Sequence, residues 1–214
     1  MNKSSFLSII VIIFLVGIWT SSGSLGFVHE QQVEQVTEEV DQQGLGYAMY
    51  SDPQSNYTLH YPSDWHVEYK KPATQFDQPS SWFKLPDAVS IVSIELSSSD
   101  LTRKEFEDGF LKYYPLILRE RFGSGLEIEN KTFGLYQIDR SPAGSIVFTT
   151  PLDNTLGANK GMFVSSVFDD NQTISITYIS SSENFNKNLN NVTSMIESIR
   201  IAPLMENRSS LIPN

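Results

Sequence analysis

Large apolar side chains recur at every second position from Tyr57 to Tyr69, broken only by a proline-bearing corner. In "YTLHYPSDWHVE" (57–68), Tyr57, Leu59 and Tyr61 alternate with polar residues; beyond Pro62-Ser63-Asp64 the odd-numbered set continues with Trp65, Val67 and Tyr69. Alternate strand side chains point to opposite faces, so the pattern predicts two strands and a corner sharing one buried face. His60 and His66 fall on the other face with Thr58 and Glu68, and a loop at 62–64 would set the two histidines opposite each other. A strand at Tyr47–Ser51 precedes them, with Asp52-Pro53 as punctuation. The next stretch, "PATQFDQPSSWFKLPD" (72–87), has three prolines and no period, and predicts a long loop of a kind that often carries function. Its Trp82 and Phe83 are expected to pin it to the core; exposure for binding is the alternative. Ala88–Leu96, "AVSIVSIEL", is rich in β-branched residues and predicts a strand.

Two segments change period from two to about 3.6. Thr102 and Glu105 fit a capping box, with Leu101 and Phe106 placed as its hydrophobic staple. Phe106, Phe110, Tyr113 and Ile117 follow as a core-facing stripe, and Pro115 should kink or end that helix. "FGSGLEIENKTFG" (122–134) returns to strand through a glycine turn. Strands are predicted at Gly144–Thr150, Met162–Phe168 and Thr173–Ile179, joined by a polar hairpin loop at 151–161 and a tight "DDNQ" turn at 169–172. Ser182–Ile199 predicts the second helix, with Phe185, Leu189, Val192, Ile196 and Ile199 on one side. Strand runs joined by short turns, with one helix in mid-chain and one near the end, predict an α+β fold with a mostly antiparallel sheet. Each helix is apolar on one side only, so each should cover a sheet face.

The first residues change the setting. Lys3, an apolar stretch from Phe6 to Trp19 and small residues at 20–24 read as an export signal, either cleaved or retained as a signal-anchor. The apolar run is shorter than the ~20 residues of a spanning helix. Residues 25–46, with five acids, many glutamines and no Lys or Arg, read as a solvated linker or frayed helix; valines 33, 36 and 40 are the only support for a partner-docking arm. The globular domain is expected over 47–202, and 203–214 as a tail. The 214 residues carry a net charge of −10, which repels phosphate backbones and argues against nucleic acid as a partner. With no cysteine, disulfides, thiolate metal sites and cysteine nucleophiles are all excluded. Asn56, Asn130, Asn171, Asn191 and Asn207 each open an N-x-S/T sequon, as an exported glycoprotein would have.

The order of these features resembles the PsbP-like proteins, named for an extrinsic subunit of photosystem II. The resemblance rests on "YTLHYPSDWHV", on "VSIVSIEL" followed by "DLTRKEF", and on "ISITYISSSENFNKNLNNVTSMIESIRI", over roughly residues 45–202. Tyr57 stands where the family's aromatic-x-x-x-Tyr-Pro-x-x-Trp element has Phe. The resemblance implies an α/β/α sandwich, a central and mostly antiparallel sheet with helices on both faces. No residue with a photosystem role carries over, and the fold alone does not settle function.

Candidate chemistry is sparse. The best metal set is His60 and His66 with Asp64 or Glu68, a histidine pair across a hairpin without a third histidine. The turn Asp169-Asp170-Asn171 lacks the glycine and distal glutamate of a calcium loop. There is no G-x-S-x-G elbow, no phosphate loop, and no serine placed beside a histidine. No catalytic, cofactor-binding or metal residue is therefore assigned, and no cofactor is expected. The expected function is that of an exported, non-catalytic accessory module that docks on an envelope or membrane protein, touching the membrane only through a retained N-terminal anchor. The alternative is an extracytoplasmic small-ligand or metal-binding protein, and a small hydrolase ranks third.

Overall fold

The computed structural model describes residues 38–40, 46–52, 57–72, 78–151, 159–168 and 172–201. In chain order the strands are β1 (Glu38–Val40), β2 (Gly46–Ser51), β3 (Tyr57–Pro62), β4 (His66–Lys70), β5 (Ser80–Lys84) and β6 (Ile91–Ser98). Helix α1 (Arg103–Phe122) follows, then β7 (Glu127–Ile138), β8 (Ser141–Thr149), β9 (Lys160–Val167) and β10 (Gln172–Ser180). Helix α2 (Ser182–Ser198) and the short β11 (Arg200–Ile201) complete the order. Strands β4-β5-β6-β10-β9-β8-β7 form a seven-stranded sheet and β1-β2-β3-β11 a four-stranded one, with every pair antiparallel.

Side-chain alternation assigns the two faces of the large sheet. Phe83, Val92, Ile94, Val164, Ile176 and Tyr178 face a core shared with Tyr50, Tyr57, Leu59 and Tyr61 of the small sheet and with Phe185, Val192 and Ile196 of α2. On the opposite face, Ile146, Phe148, Phe163 and Val167 pack with Phe106, Phe110, Tyr114 and Leu118 of α1. Helices thus cover both faces, as expected of the sandwich. The small sheet is an addition: α2 shares its face of the large sheet with a second sheet. The 62–64 corner carries the chain from one sheet to the other, so five of the six odd-numbered side chains, all but Tyr69, pack in one core, but from two sheets.

Several expectations need correction. Residues 72–87 are not one loop, because Ser80–Lys84 is strand β5, paired with both β4 and β6. Its five residues are too few and too serine-rich to show a period, yet Ser81 and Phe83 point inward at 0% exposure. The strand expected from Ala88 begins at Ile91, because Ala88 takes a left-handed turn conformation (φ 59°). Part of the acidic stretch is neither linker nor frayed helix, since Glu38–Val40 pairs with Gly46–Ala48. The 152–158 part of the 151–161 loop, residues 169–171 of the tight turn and the 203–214 tail lie outside the described residues.

The first helix starts as its capping box requires: the Thr102 side chain accepts from the Glu105 N–H, and the Glu105 carboxylate accepts from the Thr102 N–H. It does not end at Pro115. Proline has no N–H for the carbonyl four residues back, which leaves the Leu111 oxygen without its helical donor. Lys131 of β7 supplies one, its Nζ donating to that oxygen at 2.9 Å. The buried stripe therefore runs Phe106, Phe110, Tyr114, Ile117 and Leu118: Ile117 lies in it as expected, while Tyr113 gives way to Tyr114, which stacks on Phe110 at 4.7 Å. The repair is testable by a double-mutant cycle in urea. Lys131→Met is expected to cost about 1 kcal/mol in the natural chain and close to nothing once Pro115→Ala has restored the helical donor. Equal losses in both backgrounds would show that Lys131 acts elsewhere.

A tyrosine cluster ties the two sheets together. The hydroxyls of Tyr50 and Tyr57 both bond Ser81 Oγ, at 2.9 and 2.7 Å, from the small sheet to β5. Burial pushes the Tyr50 phenol up to about 12, against the opposing hydrogen bond to Ser81. Tyr57 is raised well above its ordinary value by the same cause. A group with a raised folded pKa stabilises fully below its unfolded pKa, about 10 for tyrosine, and loses that contribution as pH climbs toward the folded value. Thermal melts are expected to be flat on approach to about pH 10 and to fall steeply between there and about 12. A melting temperature unchanged across that window would mean that the cluster is open to solvent.

Candidate functional site

The structure does not bring the two histidines together. His60 belongs to the small sheet and lies opposite Met49, while its N–H donates to Ser198 Oγ at 2.8 Å. His66 begins β4 in the large sheet and lies opposite Lys84. The corner that sequence reading took for a hairpin loop is a crossing between sheets, which separates their pairing partners. Asp64 is exposed on that corner, and Glu68 is committed to Lys70 and Lys84 at 2.5 and 2.6 Å. Burial works to raise the Glu68 carboxyl, but the hydrogen bonds and charges of the two lysines outweigh it and hold it low. Among the described residues no group of three or more His, Cys, Asp and Glu could hold a metal ion.

The aromatic pair in 72–87 divides between the two expected roles. Phe83 is fully buried, and Trp82, one residue earlier, points to the outer face. There β4 and β5 set three cross-strand pairs side by side: His66 with Lys84, Glu68 with Trp82, and Lys70 with Ser80. Lys70 Nζ lies 5.0 Å from the centroid of the Trp82 ring, and Trp82 Nε1 donates to Ser80 Oγ at 3.0 Å. β4 is the terminal strand of its sheet, so this half-exposed aromatic lies beside an edge bearing lysines.

A second feature occupies the other end of β4. The corner residues Pro62, Asp64 and Trp65, the turn Leu85-Pro86-Asp87 and the helical residues Asn184, Lys187, Asn188 and Asn191 line a half-open cavity of about 270 Å³. Asp87 organises it. Its carboxylate accepts from the N–H groups of Val89 and Ser90 at 3.0 and 2.7 Å, from Ser90 Oγ at 2.5 Å and from Asn188 Nδ2 at 3.2 Å. Ser90 Oγ also meets Ser180 Oγ at 2.6 Å, so the turn, β10 and α2 are joined in one network. Burial alone would raise the Asp87 carboxyl, but these donors hold it below the usual carboxylate range. No imidazole enters the network, so Ser90 has a carboxylate beside it but no general base of the usual kind. Sequence reading did not find this pocket; its one local signal was the run of asparagines in "NFNKNLNN" (184–191).

A larger, open cavity of about 390 Å³ at the far end is lined by Leu135, Gln137, Asp139, Arg140, Glu197 and Arg200. Two of its charged groups have structural partners: Asp139 accepts from the Ile201 N–H, and Arg200 donates to the backbone carbonyls of Glu197 and Ile199. Of the sequons, Asn130 is exposed on β7 and Asn191 is half-buried in α2; Asn56, Asn171 and Asn207 lie outside the described residues.

These layers define an α+β sandwich with helices on both faces of its large sheet. Its fold is PsbP-like. The structure is similar to that of cyanobacterial PsbP (CyanoP) from Synechocystis sp. PCC 6803, with a TM-score of 0.52 and 12% identity, over 84% of this chain and 100% of that one. A Pseudomonas aeruginosa protein of unknown function gives a TM-score of 0.41 at 11% identity, over 73% of this chain and 98% of that one. No family model and no curated protein matches the sequence.

Proposed function

We infer that the protein is an exported, non-catalytic PsbP-like module that docks on an envelope or membrane protein through the outer face of β4 and β5. The observation that carries this reading is the packing of Lys70 over Trp82 on β4 and β5, where an aromatic anchor and cations lie at the edge of the sheet formed by the described residues. The apolar run at Phe6–Trp19 supports export, and among the described residues no helix is long and apolar enough to cross a membrane. A glycan at Asn130 would project from the exposed strand β7, away from the docking face at the opposite end of the sheet.

Deleting residues 72–87 would remove β5 itself, so the test uses surface substitutions. The tagged protein is captured from its own cell envelopes after mild cross-linking, beside a Trp82→Ala/Lys84→Glu variant. One stoichiometric membrane partner, lost in the variant while the variant still unfolds cooperatively well above the capture temperature, is the expected result. Equal recovery by both proteins would refute the assigned face, and no partner in either would refute constitutive docking. The ligand-binding reading is favoured by a separate observation, the asparagine-lined pocket.

A further inference from the structure

Helix α2 carries five asparagines in 17 residues, against its own local chemistry. Asparagine is a poor helix former because its side chain competes with the backbone for hydrogen bonds. Asn186 and Asn190 are exposed on the outside of the helix. Asn184, Asn188 and Asn191, at steps of four and three, all line the 270 Å³ pocket. Three of the five thus share one concave face, where carboxamides gathered against local helix preference are the pattern expected of a site.

The polar groups still open in the pocket define what it can take. Asp87 is already met by four donors, and Asn188 is one of them. Lys187 Nζ donates to the Glu183 carboxylate at 2.8 Å and to the Asn184 side-chain oxygen Oδ1 at 3.3 Å. The Asn191 carboxamide, the Asn184 amide nitrogen and the Asp64 carboxylate remain, and together they offer both donors and acceptors. Against them stand the apolar surfaces of Pro62, Trp65, Leu85 and Pro86. Two carboxylates at the pocket oppose phosphate or a carboxylate ligand, and the carboxamides oppose a wholly apolar one. The volume falls just under the ~300–1,000 Å³ of sites for drug-sized ligands, so it suits a single ring.

We propose that this pocket binds one neutral pyranose ring, with Asn184, Asn191 and Asp64 on its hydroxyls and the Pro62–Trp65 corner against its C–H face. The inference is independent of the docking face, which lies on other residues. It also makes the Asn191 sequon and the pocket exclusive, because a glycan attached to Asn191 would fill the site that its free carboxamide serves.

The test follows the side-chain amide signals of Asn184, Asn188 and Asn191 by NMR. The full chain is titrated with glucose, galactose, mannose and N-acetylglucosamine, each as the free sugar and as its methyl glycoside. Saturable shifts with at least one sugar are expected, weakened at least tenfold by Asn191→Leu and by Asp64→Ala, with the urea midpoint of each variant unchanged. Glucuronate should bind at least tenfold more weakly than glucose. Equal binding of the methyl glycoside points to the end of a glycan chain, and loss of it to a free sugar. No saturable shift with any of the four sugars, shifts that survive both substitutions, or glucuronate binding as well as glucose would each overturn the proposal.

Discussion

Phe83→Ala is expected to cost about 3–5 kcal/mol, the usual loss for a fully buried phenylalanine. Its ring has 0% exposure and meets Tyr50 and Tyr61 edge-on, each with centroids 5.3 Å apart, so it joins β5 to two strands of the other sheet. Domains of this size are stable by only about 5–15 kcal/mol, so the variant should stand near the edge of folding. The informative control is its neighbour. Trp82→Ala removes a half-exposed ring with one lysine over it, and should cost about 1 kcal/mol or less. Urea midpoints for the two variants, at unchanged m-value, measure the contrast directly. Similar small losses would return 72–87 to a surface loop.

Gly144→Val should also destabilise strongly, against the propensity of the residues. Valine is the better strand former, so local preference predicts a gain. The space forbids it: a Cβ at Gly144 would come within 3.0 Å of three ring atoms of Phe110. The absent side chain leaves room for the Phe110 ring to lie against β8, stacked on Tyr114 and lying parallel to Phe163 at 11°. Overpacking costs typically 1–3 kcal/mol and occasionally more, and the Phe110 ring, held between Phe106, Tyr114 and Phe163, has little room to give, which favours the upper end. Phe110→Ala, costly by itself, should cost far less in the Gly144→Val background, so the cycle shows a large coupling energy. A neutral Gly144→Val would mean that α1 does not cover β8 as described. The PsbP-like fold would then lose the helix on one of its two faces.

Both predictions concern contacts that no local pattern announces, while the elements that make them were mostly readable. Alternation at Tyr57–Tyr69 identified strands and a core face, and the Thr102–Glu105 box located the start of α1 to the residue. Steps of three and four from Phe185 to Ile199 identified α2 and its buried side. These signals are legible because a backbone repeat fixes which way each side chain points, whatever lies opposite. One exception was local, since Ser80–Lys84 is too short to show a period; the other was tertiary, since the carbonyl freed by Pro115 is satisfied by a lysine on another element.

The candidate sites were hardly legible, for a different reason. His60 and His66 are six residues apart in the chain but pair into different sheets, which alternation cannot reveal. Asp87 and Asn188, 101 positions apart, meet across the pocket only because α2 packs beside the β5–β6 turn. The sequence by itself determined both helices, most of the strands and which of their faces are apolar, because those depend on neighbours along the chain. The tertiary structure alone decided which sheet each strand joins, where Trp82 emerges and which asparagines share a cavity. Those depend on packing between residues that no sequence spacing connects.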